Sequence, residues 1–140
     1  MKLSTKGRYG VKAMVDLAIN YGKSPISIKS ISSRQNISEY YLEQLFSVLR
    51  KAELIKSIRG ANGGYILAKD PKEITVYQVL EVLEGPIEIS TCLDIDCCAT
   101  RIVWKKIKDS IDSVTMAITL QDIVDDYSNI LKIKGVNLNE

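Results

Sequence analysis

Three cysteines, Cys92, Cys97 and Cys98, stand within seven residues of one another in a 140-residue chain that contains no histidine. Thiolates attack electrophiles, exchange electrons and bind soft metals, so the cluster reads as free thiols or as metal ligands. An odd number with two adjacent does not make a secreted disulfide framework. A bond between Cys97 and Cys98 would be strained, which makes Cys92 the better oxidation partner. Enzymatic catalysis is the weakest use of these groups. There is no histidine, no nucleophile motif and no phosphate loop, and nothing places a base beside the thiols.

A second chemistry-bearing stretch is Ser38–Tyr65. Leu42, Leu45, Phe46 and Leu49 fall on one face of a helix, while Tyr40, Glu43, Gln44, Ser47 and Lys51 collect on the other. Ser38 is a good N-cap, and the free N–H groups of that first turn can meet a phosphate. Leu54–Arg59 then alternates apolar and polar residues. Gly60, Gly63 and Gly64 supply the positive φ angles of a hairpin before Tyr65–Leu67 resumes as a strand. Singly, an amphipathic helix is usually a surface helix and a glycine hairpin usually a turn, and no Gly-Lys-Ser/Thr follows to make a P-loop. In this order they form the second half of a winged helix, whose helix enters the major groove while Arg59 reaches the neighbouring backbone or minor groove. Tyr41 and Phe46 are assigned to packing.

The charge distribution agrees. The net charge of +2 hides 12 Lys/Arg against 5 Asp/Glu in residues 1–70 and 7 against 12 in residues 71–140. A basic half carrying a wing is the footprint of a polyanion binder, and the acidic half argues against contact along the whole length. At 46% apolar residues the chain can bury one core. No uncharged apolar run approaches the ~18–20 residues of a spanning helix and no secretory core opens the chain, so a cytoplasmic location without membrane association is expected.

The elements that must position these groups follow in order. Lys6–Tyr21 is a helix with Val11, Met14, Val15 and Ala18 inward, Ser4 or Thr5 as cap and Gly22 beyond its end. Lys6, Arg8 and Lys12 in its first turns are candidate phosphate clamps, although basic residues near a terminus are more often only solvated. Ser27 caps a short helix, Ile28–Gln35, which Asn36 ends, making a helix-turn-helix with the helix at Ser38. Lys69–Glu73 is a polar turn, and Thr75 caps Val76–Leu83, with Val76, Val79, Leu80 and Leu83 inward and Gly85-Pro86 as the stop. The cysteine stretch shows no helical period. Val103, Ile107, Ile111, Val114 and Ile118, with Trp104 beside them, then form a heptad-like stripe that in so small a chain fits a second copy better than its own domain. Thr119 restarts a short helix with Asp122 as its capping-box partner. The expected fold is mainly α with a small β-hairpin wing (α+β), a winged helix-turn-helix plus a long C-terminal dimerisation helix. Its parts are 1–85 for DNA binding, 86–100 as the cysteine loop, 101–127 as the dimerisation helix and a short following helix, and 128–140 as a tail.

The runs KLSTKGRYGVKAM, ISEYYLEQLFSVLRKAELIKSIRGANGGYILAKDP and ITVYQVLEVLEGPI, with Cys98-x-x-Arg101-x-x-Trp104, resemble the Rrf-two family of bacterial winged-helix regulators over about residues 1–127. Its members include an iron–sulfur regulator, a nitric-oxide sensor and a repressor of cysteine metabolism. The resemblance implies a homodimeric repressor on a two-fold symmetric double-stranded DNA operator. Ser38, Tyr40, Glu43 and Gln44 match the family's helix contacts, and Arg59, Gly60, Gly63 and Gly64 its wing. It also implies a [2Fe–2S] or [4Fe–4S] cluster on Cys92, Cys97 and Cys98, but the cysteine loop is shorter than in cluster-holding members, and Arg101 stands where a histidine completes one such site. A fourth ligand would have to be Asp94, Asp96, a residue of the partner subunit or an exogenous thiol. A thiol redox switch or another metal is the alternative for the loop. For the whole chain the alternative is a cluster-free co-repressor controlled by binding a cysteine-metabolism enzyme.

Overall fold

The computed structural model describes residues 3–89 and 99–136. Helices α1 (Thr5–Ile19), α2 (Ile28–Gln35) and α3 (Glu39–Lys51) precede a hairpin of β1 (Ile55–Ile58) and β2 (Gly64–Leu67). A 3-10 turn at Pro71–Glu73 leads to α4 (Val76–Glu84), and α5 (Arg101–Ala117) and α6 (Leu120–Ile133) close the chain. The architecture is mainly α with an antiparallel wing, in the register Ile55↔Leu67 to Ile58↔Gly64.

Local chemistry sets most of the boundaries. The Ser27 hydroxyl accepts the Ser30 N–H at 3.1 Å, and α2 ends on Asn36 in the left-handed region at φ 55°. Ser38 accepts the Tyr41 N–H at 3.2 Å. Both capping boxes close, Thr75 with Gln78 and Thr119 with Asp122. The Ser4 side chain makes no cap bond at the start of α1. Its place is taken by Glu84, eighty residues away, whose Oε1 accepts the Ser4 and Gly7 N–H groups at 2.9 and 3.1 Å.

One core joins these elements, centred on Met14, Leu17, Ile31, Leu42, Phe46 and Leu49. The buried face of α1 is rotated from the expected one. Ala13, Met14, Leu17 and Ala18 are buried, whereas Val11 and Val15 only flank the core. The rotation follows from Gly7 and Gly10, which also lie on the buried face: a Cβ at Gly10 would collide with Leu83, so α4 packs directly on the α1 backbone. On α4 itself Val79 and Leu80 are buried, while Val76 and Leu83 are half-buried.

Asp16 is the one buried charged side chain among the described residues. Its carboxylate takes Nη2 and Nε of the Arg34 guanidinium at 2.7 and 3.0 Å and the Gln35 amide at 3.0 Å, so both its oxygens face donors on α2. The Asp16 hydrogen bond is the main cause that raises the Arg34 pKa above its ordinary value, against a partial desolvation that lowers it. This fork fixes α2, and with it the turn into α3, against α1.

Two expectations at the C-terminal end are corrected. Ile118 lies past the end of α5 in extended backbone, where its carbonyl accepts the Val76 N–H at 2.9 Å beside an isolated Thr75↔Thr119 bridge, so it leaves the helical stripe. The following helix does not stop at Tyr127. Residues read as a tail from 128 continue α6 to Ile133, and Gly135 at φ 76° follows its end. Ile130 and Leu131 prolong the apolar period through Ser128 and Asn129, and the helical propensity of those two is too weakly unfavourable to break it.

Candidate nucleic-acid interface

The two faces of α3 are cleanly separated. Leu42, Leu45, Phe46 and Leu49 are buried, while Tyr40, Glu43 and Gln44 are exposed and Ser47 is half-buried. Tyr40 is 71% exposed, a large aromatic side chain with no core to fill. Ser38 is exposed at the N-terminus, and because its oxygen accepts the Tyr41 N–H, its hydroxyl proton is left to donate outward. Donors, acceptors and an aromatic ring thus share one face of a helix whose position is set by its buried opposite side.

The wing is held to this helix by a ring contact and to the segment before α2 by a strand bridge. The Phe46 and Tyr65 rings meet edge-on at 4.8 Å between centroids and 69° between planes. Tyr65 donates to Ile26 O at 2.8 Å and accepts from Ile26 N–H at 3.0 Å, which adds the segment before α2 as a third edge. Gly64, at φ 154°, permits that approach, since a Cβ there would strike the Ile26 carbonyl. At the tip, Gly60 takes φ 116° and accepts the Gly63 N–H at 3.0 Å, closing the turn with Arg59 and Gly60 exposed at its mouth. Gly63 does not take the positive φ expected of it; it is required instead because a Cβ there would meet the Ile58 carbonyl, whereas Gly60 is required by its φ alone.

Lys6 and Arg8 are exposed on the first turns of α1. An open groove of about 470 Å³ lies between this turn, α3 and the end of α4, lined by Ser4, Thr5, Lys6, Tyr41, Leu83 and Glu84. Tyr41 meets Tyr9 edge-on at 5.9 Å, and Lys12 lies 5.8 Å over the Tyr9 ring. The predicted α1, α3 and wing residues therefore sit on one connected framework.

The predicted association residues are elsewhere. Helix α5 buries no residue in its own protomer. Val103, Trp104, Ile107 and Val114 are exposed, and Ile111 is half-buried. The ion pair Lys105–Asp109, at 2.7 Å, runs along the opposite, solvated side, whereas Lys108–Asp112, also at 2.7 Å, is partly buried on the side that faces α4. The Asp112 hydrogen bond is the largest cause raising the Lys108 pKa. Trp104 Nε1–H donates to the Thr100 hydroxyl at 3.1 Å, which leaves its ring on the apolar side.

Cys92, Cys97 and Cys98 lie outside the described residues. Among the described residues no group of three or more His, Cys, Asp or Glu is placed to hold a metal ion. Arg101 opens α5 with an exposed, permanently cationic side chain that has no lone pair to offer a metal. The chain's own thiols number three, one short of the usual cluster set.

Sequence patterning missed Asp16, Arg34 and Glu84. A carboxylate inside the apolar run AMVDLAI was the available signal for the first, and nothing local pointed to the last.

A helix-turn-helix followed by a hairpin wing, with a polar recognition face and an arginine at the wing tip, defines a winged-helix DNA-binding transcriptional regulator. The Rrf2 family model, described as an iron-dependent transcriptional regulator, matches residues 3–126. The chain belongs to the Rrf2 family. It is 49% identical over 123 residues to the HTH-type transcriptional regulator CymR of Bacillus subtilis, spanning 88% of this chain and 89% of that one. The solved structure of that global cysteine regulator superposes with a TM-score of 0.83 at 47% identity, covering 89% and 97% of the two chains. T. potens IscR gives 0.80 at 50% identity, with 93% and 90% covered. The oxidised form of Staphylococcus aureus CymR gives 0.77 at 40% identity, with 88% and 95% covered. The relatives are named as regulators and not as enzymes, and among the described residues no helix is long and apolar enough to cross a membrane.

Proposed function

We propose that the protein is a cytoplasmic homodimeric repressor that reads a two-fold symmetric operator and responds to its cysteine loop. One α3 from each protomer lies in successive major grooves. Gln44 pairs with adenine through both amide groups, Glu43 accepts from a cytosine amino group, and Ser38, Tyr40 and Ser47 complete the helix contacts. Arg59, carried on Gly60, Gly63 and Gly64, enters the flanking minor groove, and Lys6 and Arg8 take phosphates. The observation that carries this reading is the division of α3 into a fully buried apolar face and an exposed polar one beside the arginine of the wing.

Arg59→Ala is expected to weaken operator binding about tenfold and to lower the log–log salt slope by about 0.9, the share of one phosphate-region interaction. Gln44→Ala is expected to cost about 1–3 kcal/mol at one base position and to relax specificity there without changing the slope. Titration of both variants against an operator recovered from random duplexes is the test. An Arg59→Ala protein with unchanged affinity and slope would show that the wing does not touch DNA.

Cys92, Cys97 and Cys98 are the proposed sensing element, supported by the family model's iron dependence and by the oxidised form recorded for the S. aureus relative. A cluster there would supply a redox- and iron-sensitive cross-link for the loop, but the three thiols need a fourth donor, from Asp94, Asp96, a residue of the partner subunit or an exogenous thiol. Anaerobic purification with iron and sulfide analysis separates the cases. Stoichiometric iron and sulfide, lost in Cys92→Ala, identifies a cluster sensor. A colourless protein whose operator affinity changes with thiol oxidant identifies a redox switch. A protein that shows neither response refutes the sensing role.

A further inference from the structure

We infer that Glu84 is a positioning residue for DNA binding, which caps α1 from across the fold and holds the Lys6–Arg8 turn where it can meet phosphate. The inference rests on the reading of Lys6 and Arg8 as phosphate contacts.

The first turn of α1 has an electrostatic problem. It contains Lys6 and Arg8 and no acidic residue, although the N-terminus of a helix carries partial positive charge and favours anions. Its N–H groups also lack a local acceptor, because the Ser4 side chain makes no cap bond. Both deficits are met by one atom. Glu84 Oε1 accepts the Ser4 N–H at 2.9 Å, the Gly7 N–H at 3.1 Å and the Ser4 hydroxyl.

The surroundings are shaped for that carboxylate. A Cβ at Gly7 would lie 2.6 Å from Glu84 Oε1 and 3.0 Å from Leu80 Cδ2, so the absence of a side chain is what lets the oxygen reach the backbone. Glu84 is the last residue of α4, and Gly85 at φ 77° turns the chain away immediately after it. Glu84 also lines the groove that contains Lys6 and Tyr41, the latter on the recognition helix. It thus ties the basic turn to a helix anchored in the core, while its charge offsets the two cations next to it in a region that must approach a polyanion. Without it the turn loses its cap and its anchor together, and the two side chains lose a fixed origin.

The test uses the full-length dimer and an operator duplex recovered by selection from a random pool. Glu84→Ala is expected to weaken binding about tenfold and to lower the salt slope by about 0.9 for each phosphate that is no longer neutralised. Glu84→Gln removes the same charge but keeps an acceptor oxygen, and is expected to bind within about threefold of the natural chain, which separates capping from net charge. In the Lys6→Ala/Arg8→Ala background, Glu84→Ala is expected to cause no further loss. A loss that persists undiminished in that background, or a Glu84→Ala protein indistinguishable from the natural chain in affinity and slope, overturns the inference. If Lys6→Ala/Arg8→Ala alone binds normally, the failure lies with the reading of Lys6 and Arg8, and it is visible before Glu84 is changed.

Discussion

Placing glutamates at Ile107 and Val114 together is expected to yield a folded monomer whose operator affinity is at least about 100-fold lower than that of the natural chain, the usual gain from joining two binding modules. The reason is the unmatched face of α5. Its 17 residues include none that is buried, and Val114 is 58% exposed in the single protomer. Val103, Ile107, Ile111 and Val114, at steps of four, four and three, form one apolar stripe, and the solvated Lys105–Asp109 pair faces away from it. In a two-fold dimer each new carboxylate would face the same patch on the other copy, so both desolvation and like-charge repulsion act against association. The protomer should survive, because its core is built from α1 to α4, the hairpin and Leu120 of α6. Sedimentation and operator titration provide the measurement, with circular dichroism as the check on folding. A variant that remains dimeric would move the interface elsewhere. A monomer with full affinity would remove the two-fold operator from the proposed function.

What could be read in the sequence was whatever acts over a few residues. Ser27, Ser38, Thr75 and Thr119 each bond an N–H within three positions, and an N-cap needs no knowledge of the fold. Gly60 and Gly64 were legible as positive-φ positions for the same reason, although the carbonyl of Ile26 that crowds Gly64 comes from another part of the chain, and Gly63 is set by the Ile58 carbonyl and not by its φ. Patterning failed where the cause was distant. The Asp16–Arg34 fork spans eighteen residues and the Glu84 cap eighty, and no periodicity encodes either. The face of α1 was misplaced because Val11 and Val15 outweigh two glycines on a hydrophobicity count, while packing favours the glycines, which let α4 approach the backbone. Ile118 continued a spacing of four beyond the point where the helix had already ended, since backbone bonding to Val76 and not hydrophobic period sets that boundary. On α3 and the wing, which polar residues stand exposed was legible, and the supports that orient them were not.

Phe46→Ala is expected to lower unfolding stability by about 3–5 kcal/mol, the range for removing a buried aromatic ring. That is a large share of the roughly 5–15 kcal/mol available to a domain, and corresponds to a fall in Tm on the order of 10 °C or more. Phe46 is completely buried, and its ring lies 4.8 Å from that of Tyr65. Tyr65 in turn follows Gly64 and exchanges both backbone bonds with Ile26, so the aromatic pair adds a side-chain link between α3 and the wing to the core contacts of Ile55 and Leu67. Removing it should therefore do more than weaken the core. At a temperature low enough to keep the variant folded, operator affinity should still fall several-fold, because the wing would have to be ordered on binding at an entropic cost that the natural chain meets in advance. Leu17→Ala is the matched control: Leu17 is 2% exposed, on α1 and not on the recognition helix or the wing, and its loss should lower stability by about 2–5 kcal/mol while leaving low-temperature affinity unchanged. If the two variants bind equally well when folded, Phe46 serves only the core, and the orientation of the wing comes from the Tyr65–Ile26 bridge and the buried Ile55 and Leu67.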